Sequence, residues 1–209
     1  INPEEIKAKY YGILTKIFNV ARFASQFDVP DDLERPSGNL APEDRWILSE
    51  FDHVMARVED AWTRIDIYSA AQAIKGFGTG IFPSHWLEMT KSRLYEGDEG
   101  ATWTLHRVVR DLLCAFTPIC PFFTHYLSST LYGKSSVDVR SFPRLPSNAI
   151  GKEAESMRAL TPVISEFNSM VWKLKKDSGL SLKSPVSDVS IPPELSIIEN
   201  TLVQMHSIE

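Results

Sequence analysis

The chain has 209 residues, 43% of them hydrophobic and 23% charged, with a formal net charge of −5. That length suits one large domain or one domain with a small appendage, and the negative balance excludes a general polyanion binder, which would be basic overall. No apolar run approaches the about 18 residues that a membrane helix needs.

The start, Ile1-Asn2-Pro3-Glu4-Glu5, is polar and acidic, unlike a signal peptide, and lacks an initiator Met, so an excised fragment is expected. Two cysteines, Cys114 and Cys120, are too few for a disulfide scaffold. They flank Pro118 in an apolar stretch, so buried, reduced thiols and a cytoplasmic setting are expected.

The first element reads as a helix from Pro3 to Ala24. Tyr10, Ile13, Leu14, Ile17, Val20, Ala21 and Ala24 recur at spacings of three and four and make one apolar stripe. Phe23 falls on the opposite side, on one face with Lys16 and Asn19. A ring beside a cation and an amide, away from the core, is what a site for an unstacked RNA base needs: the ring stacks, the amide reads an edge and the cation meets phosphate. The competing reading is that Phe23 packs under a neighbouring helix or loop, as most aromatics of helical proteins do.

A turn-rich loop, 28–40, follows. The next helix begins near Pro42, with Glu43 and Asp44 suiting its positive end, and carries Ile47, Phe51, Val54, Val58, Trp62 and Ile65 at helical spacing. A helix from about Asp66 to Phe77 is expected to break or bend at Gly76, Gly78 and Gly80. Another helix is expected from Pro83 to Tyr95. Leu105, Val108, Val109, Leu112, Leu113 and Phe116 mark the one after it, and a short helix follows Pro121 to Tyr132.

Residues 134–150 read as an extended crossover. A long helix over about Lys152 to Asp177 contains Pro162, which either kinks it or marks its true start. Val186, Val189 and Ile191 alternate weakly, like a strand, and Glu194 to Met205 is helical. The expected fold class is all-α, an antiparallel helix bundle over 1–148, with a small mixed C-terminal appendage over 149–209: the long helix plus a short extended and helical segment.

No catalytic constellation stands out. The five histidines are scattered without metal spacing, and Gly76 to Gly80 follows a helix rather than a strand, so it reads as a hinge and not a phosphate cradle. Two further patches carry polar and apolar groups at helical spacing. In His85 to Arg93, Leu87, Lys91 and Leu94 share one face, while Phe82, Trp86, Met89 and Arg93 share another. Glu88 is positioned to pair with Lys91. In Trp172 to Lys176, running on to Lys183, the cations either complement the helix dipole or meet phosphate.

Taken in order, these segments resemble the C-terminal anticodon-binding domain of class I aminoacyl-tRNA synthetases, the valyl enzymes most closely. Leu14 to Phe23 is similar to the N-K-L-x-N-A-x-R-F segment, and Asp44 to Ser49 to the D-x-W-I-L-S helix opening. His85 to Glu88 with Lys91 resembles W-Y-L-E-x-x-K. Phe116 to Phe122 is similar to H-P-F-M-P-F, and Lys175 to Pro185 to K-x-x-x-G-L-S-L-x-x-P. Five collinear matches cover nearly the whole chain. His85 and Trp86 depart from the usual Trp and Tyr, and His125-Tyr126-Leu127 replaces the usual acidic pair.

The resemblance implies a bundle that grips the anticodon stem-loop of a valine tRNA. It implies contacts to anticodon bases from Lys16, Phe23 and Leu87, with Asn19, Arg22 and Lys91 as neighbours. It implies a parent ligase whose ATP-using catalytic domain and editing domain lie N-terminal to Ile1. This chain itself, lacking the ATP-binding signatures, is expected to hold no catalytic residue, metal or cofactor, and to act as a monomer. Three alternatives stay open: the same module from an isoleucyl enzyme, a free-standing helical RNA- or protein-binding module, and a helical enzyme using His85, Glu88 and Arg93.

Overall fold

A computed structural model describes residues 3–133 and 141–209. Among them the architecture is a helical bundle without strands. Helix α1 spans Pro3–Ala24 and α2 spans Pro42–Thr63. The apolar stripe of α1 is buried from Ile17 onward, but Tyr10 is exposed and Ile13 and Leu14 are half-buried. The stripe is covered only where the bundle reaches it, so periodicity overstated its length. Ile65, assigned above to the second helix, lies beyond its end, 80% exposed at φ 59°.

Helix α3 (Ile67–Gly76) starts at Asp66, whose carboxylate accepts from the Ser69 N–H. Of the break or bend expected at the glycines, no break occurs. The chain continues as a π-helical segment, Phe77–Trp86, directly into α4, Leu87–Tyr95. Packing is the reason. In this wider turn Phe77, Phe82 and Trp86 stack in succession, with centroids 5.7 and 5.2 Å apart, and Phe51 of α2 joins at 5.1 Å. All four rings are buried. A Cβ at Gly78 would lie 3.0 Å from the Leu112 side chain, so the glycine here permits close approach and is not a breaker. Pro83, which has no N–H for an α-type bond, is tolerated because the wider turn already re-registers the ladder.

Helix α5 (Glu99–Phe116) is buried along nearly its whole length and forms the centre of the bundle. Asp98 caps it, accepting from the Ala101 N–H at 2.8 Å. It also fastens the 25–41 loop: Trp103 Nε1 donates to Asp32 O, and the buried Arg107 donates to Leu33 O and Glu34. Helix α6 spans Pro121–Tyr132. Cys114 and Cys120 are reduced but half-buried rather than buried, because they sit where α5 hands over to α6 at the rim of the core.

Part of the expected crossover, 134–140, lies outside the described residues. From Ser141 the chain runs irregularly to one turn, α7 (Ser147–Ile150). Helix α8 (Ala154–Asp177) passes through Pro162 unbroken and packs along α2, where Trp46 Nε1 donates to Thr161 and Thr161 to Glu50. A 3-10 turn (Pro193–Ile198) and α9 (Glu199–His206) complete the chain. The weak alternation at Val186 to Ile191 yields a single parallel bridge, Val186 to Ile208, and no strand. No helix among the described residues is long and apolar enough to cross a membrane.

Candidate functional site

Helix α1 lies against the π-helical segment and α4, and a groove of about 390 Å³ opens between them. Lys16, Asn19, Val20 and Phe23 line one side; Thr79, Pro83, Ser84, Leu87, Glu88 and Lys91 line the other. The structure therefore brings together five of the six residues singled out above: Lys16, Asn19, Phe23, Leu87 and Lys91. Arg22 is exposed in the last turn of α1 and is not among the lining residues. One position before Phe23, it is turned about 100° round the helix from that ring and about 120° from Lys16, at the edge of the shared face.

Lys16 and Asn19 are exposed, and Leu87 is 6% exposed at the floor. The Phe23 ring is neither sealed in the core nor standing free. It is half-buried, in edge-to-face contact with Phe27 at 5.2 Å and Tyr95 at 6.3 Å. Both readings given above thus describe part of it: neighbouring rings hold it, and it still lines the groove.

Lys16 is tied across the groove: its Nζ donates to the carbonyl of Thr79, in the π-helical segment, at 3.2 Å. Glu88 and Lys91 form an ion pair at 2.6 Å, with each side chain more than two-fifths exposed. The groove is therefore close to charge-balanced, with a ring, an amide and an apolar floor, which favours base faces and edges over a run of phosphates.

The residues of the enzymatic alternative are engaged separately. Arg93 donates to Glu43, Asp44 and Asp98, tying α4 to the starts of α2 and α5. His85 is buried and accepts from Asn168 Nδ2 at 2.9 Å. Glu88 faces the groove and pairs with Lys91. In the third patch the cations do not act alike: Lys175 is fully buried, and its ammonium donates to the carbonyls of Leu182 and His206 at 2.8 and 2.6 Å. Sequence reading missed Thr79, Pro83 and Ser84 as groove residues. No local signal marked them, because the π-helical turn that presents them to α1 is held by ring packing from elsewhere in the bundle.

Comparison with known proteins gives concordant results. Residues 44–191 match the family model described as the anticodon-binding domain of tRNA ligase. The chain is similar to the valine–tRNA ligase of Nanoarchaeum equitans (28% identity over 209 residues, all of this chain and 26% of that protein). It is similar to the one from Pyrobaculum aerophilum (31% over 204 residues, 93% and 24%) and to that of Saccharolobus solfataricus (30% over 176 residues, 84% and 20%). The chain spans about a quarter of the length of these curated relatives. With the family model covering most of the chain and the helical bundle in place, the chain belongs to the family of anticodon-binding domains of tRNA ligases.

Proposed function

We propose that this chain is the anticodon-recognition module of a valine–tRNA ligase, and that the groove between α1 and α4 holds splayed bases of the anticodon loop. The observation that carries this reading is the convergence of Lys16, Asn19, Phe23, Leu87 and Lys91, from two segments over sixty residues apart, on one groove. Phe23 stacks on a base and is itself braced by Phe27 and Tyr95, so little ordering is left to be done on binding. Leu87 forms an apolar wall, and Asn19 offers a donor and an acceptor to a base edge. Lys16, oriented by Thr79 O, supplies a charge-assisted hydrogen bond. Arg22, outside the groove, meets the backbone of the stem. Seating the loop here orients the acceptor end toward the catalytic domain of the parent polypeptide, which uses ATP to attach valine.

The test is a titration of this chain with a valine tRNA anticodon stem-loop beside an isoleucine control loop. Base–aromatic stacking is worth about 1–3 kcal/mol, so Phe23→Ala is expected to weaken binding about 5- to 150-fold. Equal affinity for both loops, or no change in Phe23→Ala, overturns the reading.

A further inference from the structure

The groove does not end at Lys91. Phe23, Ser84, Glu88 and Lys91 also line a second, larger cleft of about 1140 Å³, whose far wall comes from the end of the chain: Trp172, Leu182, Lys183 and Gln204. We propose that this cleft is a second nucleotide subsite. It takes unpaired loop nucleotides adjoining the bases held in the first groove, with the C-terminal appendage as its outer jaw. The proposal rests on the RNA-binding reading above and extends it to residues that reading does not use.

Three observations carry it. The two cavities adjoin, sharing the Phe23, Ser84, Glu88 and Lys91 side chains, so a nucleotide next to one in the first groove is within reach of the second. The far wall repeats the chemical kit of the first groove. Trp172 is a half-buried indole, Leu182 is an apolar side chain 62% exposed, Gln204 is an exposed amide and Lys183 an exposed ammonium. On the near wall Tyr95 adds a ring 65% exposed. Rings and apolar walls with one or two cations suit bases stacked along a backbone; they would be a poor match for a polyanion alone. Lys91 is already paired with Glu88, and Glu96 also lines the cleft, so Lys183 is the cation best placed for a phosphate.

The third observation is that the jaw is built, not loose. Lys175, with no exposed surface, donates to Leu182 O and His206 O, which fixes the two segments carrying Leu182, Lys183 and Gln204. A buried relay adds to this: His206 Nε2 donates to Asn168 Oδ1 at 2.8 Å, and Asn168 Nδ2 donates to His85 Nδ1. His85 in turn stacks on Trp172 at 5.6 Å. The wall is thus pre-organised for a ligand, and Lys175 is a positioning residue that touches none of it.

The experiment compares Phe23→Ala with the double variant Leu182→Ala/Lys183→Ala, both side chains of which are exposed, on the valine anticodon stem-loop. Far-ultraviolet circular dichroism checks the fold of each. The double variant is expected to bind about five- to tenfold more weakly, with a salt slope reduced by about 0.7 for one lost phosphate contact. A loop made abasic next to the anticodon is expected to lose affinity for the wild-type chain but not for the double variant, since the two changes remove one interaction. If Phe23→Ala weakens binding while the double variant and the abasic loop leave it unchanged, the second subsite is overturned and the first groove stands; a cleft that serves another protein segment gives this result. If Phe23→Ala also has no effect, the RNA-binding reading falls and the subsite with it.

Discussion

Replacing Arg93 by Met keeps the stem of the side chain and removes the guanidinium. In the native structure that group donates to Glu43 Oε1 at 2.7 Å, to Asp44 Oδ2 at 2.7 Å and to Asp98 Oδ1 at 3.0 Å. Glu43 is 3% exposed and Asp44 has no exposed surface. Removing one partner of a buried ion pair leaves an uncompensated charge and costs about 3–5 kcal/mol. For a chain of this size that is on the order of 10 °C in Tm. Part of the cost is relieved by protonation. Burial, only partly offset by Arg93, already lifts the Asp44 carboxyl from 3.8 to about 6, and losing the cation lifts it further. The deficit of the variant relative to wild type is therefore expected to shrink as pH falls from 7.5 to 5.5. Urea unfolding followed by tryptophan fluorescence, which reports the buried Trp46 and Trp86, measures it at each pH. Adding Glu43→Gln and Asp44→Asn to Arg93→Met is expected to recover part of the loss. A deficit below about 1 kcal/mol, or one independent of pH over this range, refutes the reasoning.

Gly100→Ala is expected to destabilise by about 1–2 kcal/mol, although alanine is the better helix former. Its Cβ would lie 2.5 Å from Asn39 O, a backbone atom of the loop that α5 holds. Gly12→Ala, with nothing within 4 Å, is expected to stabilise by about 0.5–1 kcal/mol, and thermal unfolding of the pair checks the opposite signs. Lys175→Met leaves the Leu182 and His206 carbonyls without their donor and is expected to cost about 2–4 kcal/mol, read as faster amide hydrogen exchange in α9. On acidification, burial, with the Lys175 charge adding to it, holds His206 down at about 4, so its stabilisation is complete above pH 6.5 and is lost as pH falls toward 4. That loss amounts to about 2 kcal/mol after allowance for screening. Asp44 works in the opposite sense, its raised carboxyl gaining stability between pH 6 and 4, so the readout is the difference between wild type and His206→Gln, in which the Asp44 contribution cancels: wild type is expected to lose stability relative to the variant as pH falls from 6.5 toward 4.

Periodicity located α1, α2, α5 and the long run of α8, because an amphipathic stripe is a local property of the chain, and the prolines before it marked the start of α6. It also placed Lys16, Asn19 and Phe23 on one face of α1, which follows from helix geometry before any neighbour is considered. Tertiary structure decided everything that depends on what arrives from elsewhere. The glycines of 76–80 and Pro83 carry the signature of a break, yet the stacked rings and the close approach of Leu112 hold them in a wide helical turn. Distant carboxylates and carbonyls draw Arg93, Arg107 and Lys175 inward, which no spacing within their own helices announces. Phe23 read as either packed or free, and only the arrival of Phe27 and Tyr95 makes it half of each. A helix face is encoded within about seven residues; a groove requires two such faces to meet, and that is set by the packing of the whole bundle.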